Sequence, residues 1–306
     1  MTKRVSNAAK HGPNAAIRGP NAAKRGPNAA KRGPNAASAF LRTYSEYKKL
    51  VDVFIDENLP SFDGGGQRIL GEAMRYSAAA GGKRIRGALA LAVCELLGGD
   101  GDAALTLAGA IEYIHAYSLI HDDLPCMDDD DYRRGKPSCH KAYGEGIAVL
   151  TGDALLNLAF EILLNSRFAA SPGLRFIEAA AYIASAAGAR GMAGGQAVDL
   201  GGDITDPEDI KHLYRLKTGR LFDAAVLSPA ICFDANDGDI TALAGYSYEF
   251  GQAFQIRDDM TDADAAAGAG DALRSLQVRR DRAAGFMERF SGRNGFMLEL
   301  LYTVTD

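Results

Sequence analysis

The sequence predicts an all-α fold: a bundle of many antiparallel helices. Three observations point to helices. Apolar residues recur at three-to-four spacing over most of the chain from Ser38 onward. Ala is very frequent, and β-branched runs with period-two alternation are scarce. The connections between periodic stretches are short, as in antiparallel helices that pack on their neighbours. With 306 residues, 47% of them apolar, the chain can bury a substantial core.

The first 38 residues stand apart. Asn-Ala-Ala recurs at Asn7, Asn14, Asn21, Asn28 and Asn35, mostly followed by basic residues and Gly-Pro. The period is seven, but Gly-Pro breaks a helix in each repeat and no position keeps a large apolar residue, which excludes a coiled coil. Residues 1–38 are predicted to be a disordered basic low-complexity tail. A functionless extension and a targeting or anion-binding segment are both open readings. Residues 39–306 form the predicted all-α domain.

Within that domain the elements follow in order. Residues 39–58 place Phe40, Leu41, Tyr44, Tyr47, Leu50, Val51, Phe54 and Ile55 on one helical stripe. Residues 103–121 are apolar nearly all round, so this helix is expected to be central and buried. Residues 146–165 and 174–190 follow. Asp206-Pro207-Glu208 is a helix start, with a capping acid and Pro in the first turn; that helix is expected to stop near Leu227, before Ser228-Pro229. Another spans about 239–260. Short helices at about 271–290 and 295–303 end the chain, after a simple linker from Asp262 to Asp271.

Charge is distributed unevenly. The tail holds eight Lys and Arg and no acid, which leaves 26 basic against 39 acidic residues, a net −13, on the remainder. An acidic body argues against nucleic acid as a partner. It suits an anionic substrate only if metal cations or local Lys and Arg supply the attraction. Cys94, Cys126, Cys139 and Cys232 form no C-x-x-C pair and read as reduced thiols of a cytoplasmic protein. No uninterrupted apolar stretch is long enough to span a bilayer, so no stable membrane insertion is expected.

Six aspartates fall between Asp122 and Asp131. Such a run in isolation is usually a solvated loop. Here it continues the buried helix, where clustered carboxylates are costly unless cations neutralise them, and hard divalent ions suit oxygen ligands. Asp122 and Asp128 are six apart and would point about 120° from each other on an ideal helix. Pro125 between them disturbs the helix, and a local bulge there can swing Asp128 back. Asp258 and Asp262 are four apart and share a face; Asp259 lies between them. Two such clusters at the ends of apolar helices can bracket a metal cluster. Gly81-Gly82-Lys83-Arg84-Ile85-Arg86 reads either as an ordinary basic loop or as a phosphate site. Arg133-Arg134-Gly135-Lys136 either balances the acids or binds anion. Gly219, after Lys217-Thr218, is unfavourable inside a helix and marks a kink or a close approach. His115, on a mostly apolar helix, has a core histidine as its default reading; His121 and His140 read as structural.

Taken together, these motifs resemble the trans-isoprenyl diphosphate synthase (polyprenyl synthetase) family, and within it the bacterial-type farnesyl diphosphate synthases. The stretch from His115 to Ser138 carries the resemblance most fully. Gly81–Arg86, Gly152-Asp153-Ala154, Gly194-Gly195-Gln196-x2-Asp199-Leu200, Lys217-Thr218-Gly219 and Phe254-Gln255-x2-Asp258-Asp259 occur in the family's order. The resemblance is strong over about 39–262 and weak beyond.

It implies helices around a central cavity, in a homodimer that joins isopentenyl diphosphate to an allylic diphosphate (dimethylallyl or geranyl), giving farnesyl diphosphate, with a trinuclear Mg²⁺ cluster. Geranylgeranyl diphosphate is an alternative product. By the same resemblance Asp122, Asp123, Asp128, Asp258, Asp259 and Asp262 hold metal. Arg133 and Lys217 contact the allylic diphosphate. Lys83, Arg86, His115 and Arg134 bind isopentenyl diphosphate, and Thr218 and Gln255 line the path of a carbocation. Tyr117, five residues before Asp122, is expected at the cavity floor, where its ring limits product length.

Two departures stand out. Gly87 replaces a usual Pro. The lid loop that family members carry after the second motif is shortened, so that the C-terminal part from about 263 is reduced, and no Lys follows Lys217. The shortened lid favours a second reading, a catalytically impaired homologue serving as a binding or regulatory subunit. A terpene cyclase, a third reading, would lack the second Asp motif and the Gly81–Arg86 segment.

Overall fold

A computed structural model describes residues 34–169, 174–202, 205–262 and 269–306. The repeat over residues 1–33 and the linker over 263–268 lie outside the described residues, so the readings made for them are not addressed by the structure. Every site residue considered below lies in the compact unit Phe40–Asp306.

Among the described residues the helices are α1 (Pro34–Asn58), α2 (Arg68–Ala78), α3 (Ile85–Leu97), α4 (Gly101–Asp122), α5 (Cys139–Tyr143), α6 (Glu145–Asn165) and α7 (Arg175–Ala187). They continue with α8 (Met192–Leu200), α9 (Pro207–Tyr214), α10 (Arg220–Cys232), α11 (Asp237–Asp262), α12 (Ala269–Met287) and α13 (Gly295–Thr305). The fold is all-α, as the periodicity predicts. The exception is a two-residue hairpin, β1 (Tyr132–Arg133) and β2 (Lys136–Pro137). Its turn residues Arg134 and Gly135 both have positive φ, 55° and 76°. That conformation matches the right-handed twist of a tight hairpin.

Helix α4 is the axis. It packs against α2, α3, α6, α7 and α10. Asp100 caps it, accepting from the Asp102 and Ala103 amides at 2.9 and 3.1 Å. Leu107, Ile111, Tyr113 and Ile114 are fully buried along it, each aliphatic side chain contributing roughly 1.5–3 kcal/mol. By length and composition α4 and α6 could each cross a membrane, which differs from the expectation. The sequence criterion asked for an uninterrupted apolar run, and single charges such as Asp153 and Glu161 interrupt α6 without making it polar. For α4, burial in this bundle accounts for the composition.

The α1 stripe is narrower than predicted. Phe40, Val51 and Ile55 are buried, whereas Leu41 and Leu50 are exposed. The helix that begins at Pro207 also differs. It passes through a π-helical turn, Arg215–Gly219, and α10 continues past Ser228-Pro229 to Cys232. Every residue from Leu221 to Ala230 is buried, and packing of that face outweighs the single backbone bond that Pro229 forfeits.

Candidate active site

The first acidic motif begins where α4 ends. The chain turns so that the Asp128 amide donates to the Asp122 carbonyl at 2.9 Å, and the Asp129 amide to Leu124 at 3.2 Å. This is the bulge anticipated at Pro125. It brings Asp128 back beside Asp122, and both line a cavity of about 840 Å³. Asp123 does not line it. Its carboxylate, 2% exposed, accepts from Arg133 Nε at 2.9 Å and from Arg133 Nη2, which also reaches Asp130 at 2.9 Å. The hairpin therefore holds Arg133 against Asp123 and Asp130. The resemblance implies that Asp123 and Arg133 serve the same diphosphate as Asp122; here the two side chains pair with each other.

The opposite wall comes from α8, the π turn and α11. Asp258 lines the cavity, together with Lys217, Thr218 and Gln255. Lys217 pairs with Asp199. The Thr218 hydroxyl donates to Gln255 Oε1 at 2.8 Å, and Gln255 Nε2 donates to Asp259 at 2.8 Å. Tyr214 also bonds Asp259; burial first, and then that carboxylate, push the phenol up to about 12. Asp259 thus fixes Gln255 and Tyr214 instead of lining the cavity. The side chain of Asp262 lies outside the described residues. Gly195 makes the close packing possible: a Cβ there would lie 2.3 Å from the Lys217 amide nitrogen.

Arg86 and His115 occupy another part of the lining. Arg86 Nη1 lies 3.4 Å from His115 Nε2. A guanidinium only donates, so Nε2 accepts and the His115 proton sits on Nδ1. Burial, then the charges of Arg86 and Arg134, hold His115 well below its ordinary pKa, so it is neutral. Burial also brings Arg86 down to about 10, with Glu112 and Asp258 opposing the shift; it stays protonated at neutral pH. Its guanidinium lies 4.4 Å over the Phe222 ring, and its buried Nε has no partner. Arg134 reaches back to the Gly81 carbonyl and packs on Gly82. Lys83 is exposed and, like Arg134, does not line the cavity. Tyr117 does, with its ring edge-on to His121 at 5.7 Å.

Electrostatics decide what the acids can hold. Burial pushes the Asp122 carboxyl up to about 6; Lys217 opposes the shift and Asp128 adds to it. Burial raises Asp128 as well. Such crowded carboxylate oxygens form a hard donor set that a divalent cation relieves, and Mg²⁺ fits it. Asp129, Asp131 and His140 form a separate group whose ligand atoms lie within 4.8 Å of one another. Lys141 already pairs with Asp131 at 2.6 Å there.

Two site residues, Asp199 and Tyr214, and one buried structural cation, Arg84, are not identified by the sequence reading. Asp199 lies in a motif noted in the sequence, yet no role was drawn for it. Tyr214 had no signal beyond helical spacing. Arg84 reads as an exposed loop cation, but it is buried and bonds Asp52 at 2.8 Å, Glu112 at 3.4 Å and the Ala78 carbonyl at 2.8 Å.

Helices that present acidic motifs and cations to one deep cavity define a class of proteins, and comparison with known proteins specifies it. The polyprenyl synthetase family profile matches residues 67–269. The chain is 43% identical over 220 residues to a geranylgeranyl diphosphate synthase of Cyanophora paradoxa, spanning 71% of this chain and 72% of that one. It is 44% identical to a chloroplastic geranylgeranyl pyrophosphate synthase of Capsicum annuum, over 63% of this chain and 53% of that one. It thus spans about half the length of that relative and of several other plant relatives. A crystal structure of an FPP/GFPP synthase from Zymomonas mobilis superposes with a TM-score of 0.83 at 38% identity, covering 88% of this chain and all of that one. The chain belongs to the polyprenyl synthetase family, the trans-isoprenyl diphosphate synthases, and is by that membership a prenyltransferase.

Proposed function

We propose that the chain condenses isopentenyl diphosphate with an allylic diphosphate, and that it requires Mg²⁺. One observation carries this reading: Asp122, Asp128, Asp258 and Lys217 share a cavity with Arg86 and His115. Asp122, Asp128 and Asp258 would hold the metal, which when bound neutralises charge on the departing diphosphate.

The remaining steps concern the chain's own side chains. Lys217 offers a cation to the leaving diphosphate. The allylic carbon–oxygen bond breaks, and the electron pair leaves with the diphosphate. The isopentenyl double bond attacks the allylic cation, and the proton then lost passes to the departed diphosphate, so no protein base is needed. Gln255 Oε1, held by Thr218 and facing the cavity, presents a negative dipole to the cation. Leu119, Leu213 and Phe254 in the lining exclude water. Arg86 Nε and His115 Nδ1–H are free to donate to the second diphosphate. Arg133, Arg134 and Lys83 act from outside the lining, Arg133 by fixing Asp123.

For product length, the names of the relatives favour geranylgeranyl diphosphate over the farnesyl diphosphate expected from Tyr117. A cytoplasmic setting is proposed; the described cysteines are free thiols, which suits any reducing compartment. A homodimer is proposed on the outward face of α6, over its exposed apolar side chains.

The test is incubation of the purified protein with Mg²⁺, isopentenyl diphosphate and geranyl diphosphate, followed by product analysis. A C20 diphosphate is the expected product. A C15 product that lengthens in Tyr117→Ala would restore the farnesyl assignment. Binding without condensation would instead make the chain a binding or regulatory subunit, and a cyclic hydrocarbon from the allylic substrate alone would make it a cyclase.

A further inference from the structure

A π turn inserts one extra residue into a helix and is an unfavourable conformation that persists only where its surroundings hold it. Here it spans Arg215–Gly219 and carries Lys217 and Thr218. Backbone contact closes it on both sides: a Cβ at Gly195 would meet Lys217, and one at Gly251 would lie 3.3 Å from Gly219 Cα. What ties its two ends together is a single carboxylate. Asp223, on the first turn of α10, has a side chain 1% exposed. Its Oδ2 pairs with Arg215 Nη2 at 2.6 Å and Arg220 Nη1 at 3.3 Å, the first residue of the turn and the residue just after it. Its Oδ1 accepts from Ser247 Oγ at 2.6 Å, which adds a tie to α11. Arg215 also lies 5.1 Å over the Tyr248 ring of α11, and Arg220 lies 5.5 Å over Tyr182 of α7.

We propose that Asp223 is a positioning residue for the reaction, acting through Arg215 and Arg220 to keep the π turn that aims Lys217 and Thr218 into the cavity. Two guanidiniums converge on one buried carboxylate, and one nitrogen on each, Arg215 Nη1 and Arg220 Nε, stays buried without a partner. Such an arrangement is a poor way to gain stability alone, because the unmatched donors offset the ion pairs. It does fix the separation of Arg215 and Arg220, and so the register of the residues between them. Asp223 touches neither the cavity nor any group placed in contact with substrate. The inference rests on the reading of Lys217 as a diphosphate ligand.

The experiment is a double-mutant cycle on the full chain. Affinity for inorganic diphosphate with Mg²⁺ is measured by titration calorimetry, beside steady-state kinetics. The variants are Asp223→Asn, Arg215→Met and Lys217→Ala, singly and with Lys217→Ala combined with each of the others. Arg215→Met leaves Asp223 paired with Arg220, so it reports even if Asp223→Asn does not fold. Each positioning variant is expected to weaken diphosphate binding about tenfold, the loss of roughly one charge-assisted contact. The KM for isopentenyl diphosphate should stay unchanged. In the Lys217→Ala background neither substitution should weaken binding further. Losses that add in that background, or unchanged diphosphate affinity in a folded Arg215→Met variant, would overturn the proposal while leaving the enzymatic reading intact. A wild-type chain that binds no diphosphate would overturn both.

Discussion

Single side chains set the chemistry of the cavity, and Asp122 shows how. Burial pushes its carboxyl up to about 6 from the ordinary value of 3.8. A raised carboxyl favours the folded state below the unfolded value, and that contribution is lost as pH rises through the folded one. The ion-free protein thus carries an electrostatic cost above about pH 6. A cation binds only the ionised carboxylates. Mg²⁺ with diphosphate at about 100 times its dissociation constant stabilises by about 2.7 kcal/mol, a rise of roughly 5 °C in a chain of this size. Thermal melts should show that rise at pH 8 and about half of it at pH 5, where protonation of Asp122 weakens binding about tenfold. Replacing Asp122 or Asp128 by Ala should abolish the rise and lower condensation by about 10²–10³-fold, the usual loss when a group that stabilises transition-state charge is removed. Arg84 makes the complementary case, as a cation the reaction does not use. It is buried among Asp52, Glu112 and the Ala78 carbonyl, so Arg84→Met should cost about 3–5 kcal/mol in urea unfolding, the usual loss when one partner of a buried ion pair is removed. It should do so without abolishing diphosphate binding.

At the scale of elements, what was legible in the sequence was whatever recurs with helical period. Helix α4 could be placed because it is apolar on every face, and α9 because Asp206-Pro207 starts it. The return of Asp128 to Asp122 was partly legible, since Pro125 marks a break, although the break alone does not say where the chain goes next. The hairpin that carries Arg133 was not legible. Two-residue strands have no measurable alternation, and only Gly135 hinted at the turn. The resemblance gives Asp123 and Arg133 to the metal and the diphosphate, and nothing in the sequence signals their pairing with each other. The π turn was announced only by Gly219, an unfavourable residue in a helix, and the residue that lets α8 approach it, Gly195, is twenty-four positions away. Gly195→Ala tests that packing. Its methyl would sit 2.3 Å from the Lys217 amide nitrogen, so either α8 or the turn must shift. Stability should fall by about 1–3 kcal/mol, as in overpacked cores. Condensation should fall at least about tenfold because Lys217 moves with the turn. Urea unfolding and initial rates measure the two effects separately.

For the whole molecule, helix α6 poses the remaining question. It packs on α4 and α2 through Ala148, Leu155, Ala159 and Leu163, yet it leaves Val149, Leu150 and Leu164 exposed, the last two at 52% and 65%. These side chains lie at the two ends of an outward face that also carries exposed Asp153, Asn157 and Glu161, and uncovered large apolar side chains at the ends of such a face suit contact with another protein. The same helix touches the site, for Gly152 packs on His121, whose Nε2 lies 3.1 Å from the Val149 carbonyl, and His121 lines the cavity. A second copy seated on this face would bury these apolar side chains and brace the wall that His121 shares with Asp122. Sedimentation velocity of the full chain should therefore show a dimer, and Leu150→Glu with Leu164→Glu should shift it to monomer, because each glutamate would have to be desolvated in the interface. Condensation should fall in parallel with the dimer fraction as that variant is diluted. A wild-type chain that sediments as a monomer at every concentration, with full activity, would show that α6 needs no partner and that the bundle holds the cavity wall alone.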